Sequence, residues 1–112
     1  MNQQPPRPPN RRAALRKKPK GARCRCRQGA LGLGPDLALA LLDLSQTGAR
    51  LLVKSALPLK QPVELELYGV AYPKTVRIEA LVVHCAPTQE GAYLVGVRFE
   101  RYLPYPELVR LT

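Results

Sequence analysis

The residues best suited to chemistry fall in two short stretches. RRAALR places Arg12 and Arg16 four residues apart, and DLSQTG sets Asp43, Ser45 and Gly48 on steps of two and three. Two guanidiniums at the first spacing can converge on one anion, from a helical turn or from a folded-over loop. Each planar fork donates two parallel hydrogen bonds to phosphate or to the O6/N7 edge of guanine, and can stack on a base. Guanine in turn offers N1–H and N2–H as donors, for which a carboxylate such as Asp43 is the natural double acceptor. Ser45, two residues on along an extended backbone, lies on the same side and adds a donor or an acceptor. Gly48 permits a positive φ, which would let the chain reverse and a ligand approach the backbone. The same residue types also make ordinary turns, so an Asx- or Ser-turn that only closes a hairpin is the competing expectation.

Little else in the chain suits catalysis. His84 is the single histidine, no two acids share a loop, and Ser45 has no neighbouring base, only Asp43 as a weak activator. GALGLG lacks the Lys-Ser/Thr end of a phosphate loop. Cys24, Cys26 and Cys85 are an odd number of thiols without tight knuckle spacing, and four ligands are the norm for structural zinc. Buried thiols are expected, with no metal and no cofactor, in a protein that is not an enzyme.

Charge divides the chain. Ten of the 18 Lys and Arg fall within residues 1–27, where no acid occurs, and the other eight are matched by the eight Asp and Glu. The whole net charge of +10 therefore belongs to an N-terminal arm, whose partner should be anionic. Residues 1–20 hold Pro5, Pro6, Pro8, Pro9 and Pro19 with almost nothing apolar, so a flexible arm is expected there, followed by one domain over 21–112. No apolar run approaches the roughly 20 residues that span a bilayer, and no apolar leader is visible. A cytoplasmic protein without membrane insertion is the expectation.

The elements that must hold these residues are strands. ARCRCRQ alternates Arg23, Arg25 and Arg27 with Cys24 and Cys26, and GALGLGPD reads as a loop. LALALLD is uniformly apolar, but its shortness and the turn behind it favour a strand over a helix. ARLLVK follows as another. PVELELYG turns Val63, Leu65 and Leu67 inward and Glu64, Glu66 and Tyr68 outward. TVRIEALVVHC aligns Val76, Ile78, Ala80 and Val82, and AYLVGVRFER aligns Tyr93, Val95, Val97 and Phe99. YPELVRLT suits a short helix that packs Leu108 and Leu111, with Pro106 near its start. Six short strands and a terminal helix predict an all-β fold, a small antiparallel barrel or sandwich.

An Arg-x-x-x-Arg arm, then DLSQTG, then VGVRF in the last strand together resemble the PilZ domain, a bacterial family that binds cyclic di-GMP. The family pattern is Arg-x-x-x-Arg before the first strand and Asp/Asn-x-Ser-x-x-Gly on the barrel. Arg12, Arg16, Asp43, Ser45 and Gly48 fill every fixed position. The resemblance implies a six-stranded antiparallel β-barrel with a C-terminal helix, acting as a non-catalytic receptor in second-messenger signalling with a downstream protein partner. It implies that Arg12 and Arg16 hold phosphates and guanine edges as the arm folds over the ligand. Asp43 and Ser45 would bind a guanine, and Gly48 would leave room for it. Arg11 and Arg50 are further candidates for contacts with the ligand. Two other readings stay open: a small-barrel nucleic-acid binder using the basic arm, and a PilZ-like module that contacts only protein.

Overall fold

The computed structural model describes residues 17–19, 21–29, 33–70 and 74–112. Six strands follow in order: β1 Arg23–Gln28, β2 Ala38–Leu44, β3 Gly48–Val53, β4 Pro62–Tyr68, β5 Val76–Pro87 and β6 Tyr93–Phe99. They form one sheet in the spatial order β1-β4-β5-β6-β3-β2, antiparallel at every pairing. The sheet curls until its two edges nearly meet. Leu37 N–H donates to the Cys26 carbonyl at 2.7 Å, and the Asp36 carboxylate accepts from the N–H groups of Cys26 and Ala38 at 2.9 and 3.0 Å. One acid thus staples the seam of a nearly closed barrel, one of the two architectures the strand pattern allows and the one the family resemblance implies.

Alternation decides what fills it. Val63, Leu65 and Leu67 of β4 are wholly buried, as are Val82 of β5 and Val95 of β6. Each such side chain contributes about 1.5–3 kcal/mol by leaving water. The helix α1 spans Tyr105–Leu111 with Pro106 in its first turn, and adds Leu108 and Leu111 to the core. That is the face its sequence predicts.

The strand β2 departs from simple alternation. Its seven residues face five of β3, with register shifts between Ala38 and Ala40 and between Leu41 and Asp43. Each shift inserts an extra residue, which bends and twists the strand. The bulges break the two-residue period of the strand, with Leu39 still about half exposed, and the second re-aims the backbone just before Asp43.

Glu66 lies on the outer face of β4, as the pattern predicts, yet it is only 7% exposed. Its cross-strand neighbours are Arg25 and Arg77. Arg27 and Arg77 approach its carboxylate at 3.1 Å and Arg25 at 3.5 Å. Burial alone would raise the Glu66 pKa, but the Arg27 hydrogen bond, the Arg77 and Arg27 charges and the Arg25 bond hold it below the ordinary value of 4.5. A depressed folded pKa stabilises fully above the unfolded value and is lost as pH falls through the folded one. Because Arg77 and Arg25 are largely solvated, the network is worth only about 1–2 kcal/mol. Glu66→Gln is expected to lose that amount in urea unfolding at pH 7, with the difference from wild type shrinking below about pH 4.

Buried or half-buried thiols follow the expectation: Cys26 is buried, and Cys24 and Cys85 are half-buried. Burial first, then neighbouring negative charge, pushes the Cys24 and Cys26 thiols up to about 12. Both remain protonated at neutral pH, which makes them poor nucleophiles.

Candidate ligand-binding site

The turn between β2 and β3 is built by Ser45. Its Oγ accepts from Thr47 N–H at 3.2 Å and Gly48 N–H at 3.1 Å, and donates to the Gly48 carbonyl at 3.2 Å. The backbone adds Ser45 N–H to the same carbonyl at 2.9 Å. A hydroxyl has one donor and two acceptor positions, and here all three act within the turn. The Ser-turn expectation therefore holds for Ser45.

Asp43 has a different neighbourhood. It ends β2, is 6% exposed, and its cross-strand neighbour is Arg50. Arg50 Nε donates to Oδ2 at 2.7 Å and Nη2 lies 2.6 Å from the same oxygen. The arginine side chain is itself about half exposed. A carboxylate at the rim of the barrel is thus steadied by a strand neighbour.

Gly48 corrects one expectation. Among the described glycines only Gly21, Gly29 and Gly91 have positive φ, and Gly48 is already strand. The Ser45 hydroxyl closes the reversal instead. Glycine is required at 48 for close approach: a Cβ there would collide with the Val97 carbonyl oxygen of β6.

The arm reaches this site through Lys17. Its N–H donates to the Leu44 carbonyl at 2.8 Å, and its carbonyl accepts from Leu44 N–H at 2.9 Å. The bridge is antiparallel and falls on the residue between Asp43 and Ser45. Lys17 lies within the segment expected to be flexible arm, yet it is docked on the edge of β2. Arg11, Arg12 and Arg16 lie outside the described residues; Arg16 is the residue next to Lys17 in sequence.

The sequence reading missed three further participants. Gln46 Nε2 donates to the Leu103 carbonyl at 3.0 Å, and Leu103 N–H donates to the Gln46 carbonyl at 2.8 Å. Phe99 N–H donates to the Thr47 carbonyl at 2.7 Å. The Lys17 ammonium lies over the Tyr105 ring, 5.9 Å from its centroid. The middle of DLSQTG is therefore bolted to the segment between β6 and α1. No local signal joins positions 46 and 103, or 17 and 105.

No curated protein matches this chain in sequence. Among solved structures the fold is similar to that of MrkH from K. pneumonia, determined as its complex with c-di-GMP. The TM-score is 0.62 at 18% identity, over 90% of this chain and 49% of that one, so this chain spans about half of the larger protein. The sequence matches the PilZ domain over residues 10–111, nearly its full length. The chain belongs to the PilZ domain family.

Proposed function

We propose that this chain is a non-catalytic receptor domain for cyclic di-GMP, in which the arginine arm and the DLSQTG turn close on the ligand from two sides. The observation that carries the reading is the Lys17–Leu44 bridge. It roots the arm between Asp43 and Ser45, so the arginine pair and the carboxylate need no long-range search to meet. Asp43 accepts from a guanine edge, Ser45 holds the turn that presents it, and Gly48 keeps the floor of the site level with β6. Arg12 and Arg16 supply phosphate and guanine contacts, with Arg11 beside them. Arg50 steadies Asp43 and stands near enough to the turn to share in binding phosphate. Membership of the PilZ family and the fold shared with a c-di-GMP complex support the ligand class.

Binding that orders the arm converts it from a charged tail into part of a surface, and a downstream protein that reads this surface completes the signal. Each charge-assisted hydrogen bond contributes about 1.5–3 kcal/mol, and five or six sustain micromolar or tighter binding after the ordering cost. Isothermal titration with cyclic di-GMP is expected to show saturable heat, reduced at least roughly 30-fold in affinity by Arg16→Ala. Absence of heat in the wild type at millimolar ligand would sink the proposal. Equal affinity for unrelated RNA, falling steeply with salt, would instead mark the arm as a general polyanion binder.

A further inference from the structure

Three connections link the motif turn and the arm's root to the segment around α1: Gln46 to Leu103, Thr47 to Phe99 and Lys17 to Tyr105. Two of them are backbone or buried contacts that the barrel needs in any case. The third is not. Tyr105 is 55% exposed, and α1 is anchored in the core by Leu108 and Leu111 instead. An exposed ring that packs little of the core, with a lysine ammonium over it, calls for a reason.

We infer that Tyr105 is a positioning residue for the arm: its ring holds Lys17 on β2, and so fixes where Arg16 meets the ligand. The argument is one of preorganisation. Lys17 makes an isolated bridge, and a single pair of backbone bonds outside a continuous ladder opens more readily than a strand does. A cation over a tyrosine face adds a second, independent anchor at the same residue. With its root held, Arg16 is presented from a fixed neighbour on β2. With its root free, the ordering of Lys17 is charged against affinity as well. Linkage makes the effect reciprocal: a ligand that tightens the arm also tightens Lys17 on Tyr105. Tyr105, exposed in the first turn of α1 and under the Lys17 ammonium, thereby registers the occupancy of the site.

The inference rests on the cyclic di-GMP reading for its ligand, but the contact itself is testable without one. In ligand-free protein, Tyr105→Ala is expected to speed amide exchange at Lys17 by several-fold while the amide of Leu51, in the middle of β3, exchanges as in wild type. With ligand, Tyr105→Ala and Lys17→Met should each weaken Kd roughly three- to fivefold, with unchanged Tm. The double variant should be well short of the product of the two losses, and Tyr105→Phe, which keeps the ring, should bind like wild type. Unchanged exchange at Lys17 in Tyr105→Ala would overturn the inference, as would losses that multiply. If the wild type binds no cyclic di-GMP, the exchange result alone decides it, and the failure belongs to the proposed ligand.

Discussion

Asp43→Ala is expected to abolish cyclic di-GMP binding while the barrel stays folded. The structure separates two duties that the sequence left merged in one motif. Closing the hairpin belongs to Ser45, whose hydroxyl is engaged three times within the turn. Asp43 instead pairs with Arg50, whose side chain is about half exposed and can be solvated when the carboxylate is gone. An ion pair whose arginine is this exposed contributes about 1 kcal/mol to folding. Two charge-assisted bonds to a guanine edge are worth about 1.5–3 kcal/mol each, so their removal should weaken binding by at least roughly 100-fold. Calorimetry and a thermal melt on the same preparation read the two effects apart. A well-folded Asp43→Ala that binds with wild-type affinity would reduce Asp43 to a strand partner of Arg50.

How far the sequence carried depends on the range of the physics involved. Strands β1, β4 and β6 are legible because side-chain alternation is a local property: Val63, Leu65 and Leu67 face in whatever lies across from them. The end of the chain is legible for a similar reason, since Pro106 and the spacing of Leu108 and Leu111 already describe a short amphipathic helix. Strand β2 is harder because its two bulges break the two-residue period and its apolar run has no local alternation to read. Glu66 was placed on the correct face, but not buried, because the arginines that cover it come from β1 and β5. At the site, Asp43, Ser45 and Gly48 announce themselves as a motif, whereas their division of labour does not. Which of them closes the turn depends on hydroxyl geometry, and the need for glycine depends on β6. Lys17, Gln46 and Tyr105 were invisible for the same reason: each acts through a residue at least 27 positions away, as with Lys17 and Leu44.

Gly48 provides the sharpest test of that division, because its two readings predict opposite behaviour in the absence of ligand. If glycine at 48 only leaves space for a base, Gly48→Ala should fold normally and simply fail to bind. The structure predicts instability instead. Gly48 pairs with Arg98 in the β3–β6 ladder, and the added Cβ would overlap the Val97 carbonyl oxygen. That oxygen is backbone in the body of the sheet, so no rotamer change relieves the clash; the two strands must separate or slide. Both neighbours resist. Ala49, Leu51 and Val53 on one strand and Val95 and Val97 on the other point into the core. Overpacking at a site that cannot relax costs about 2–4 kcal/mol, which in a domain of this size lowers Tm by roughly 10 °C or more. Gly48→Ala should therefore melt early without any ligand present, whereas Asp43→Ala should melt near wild type. A Gly48→Ala protein as stable as wild type would show that β3 and β6 can part at this point, and would return the glycine to the ligand.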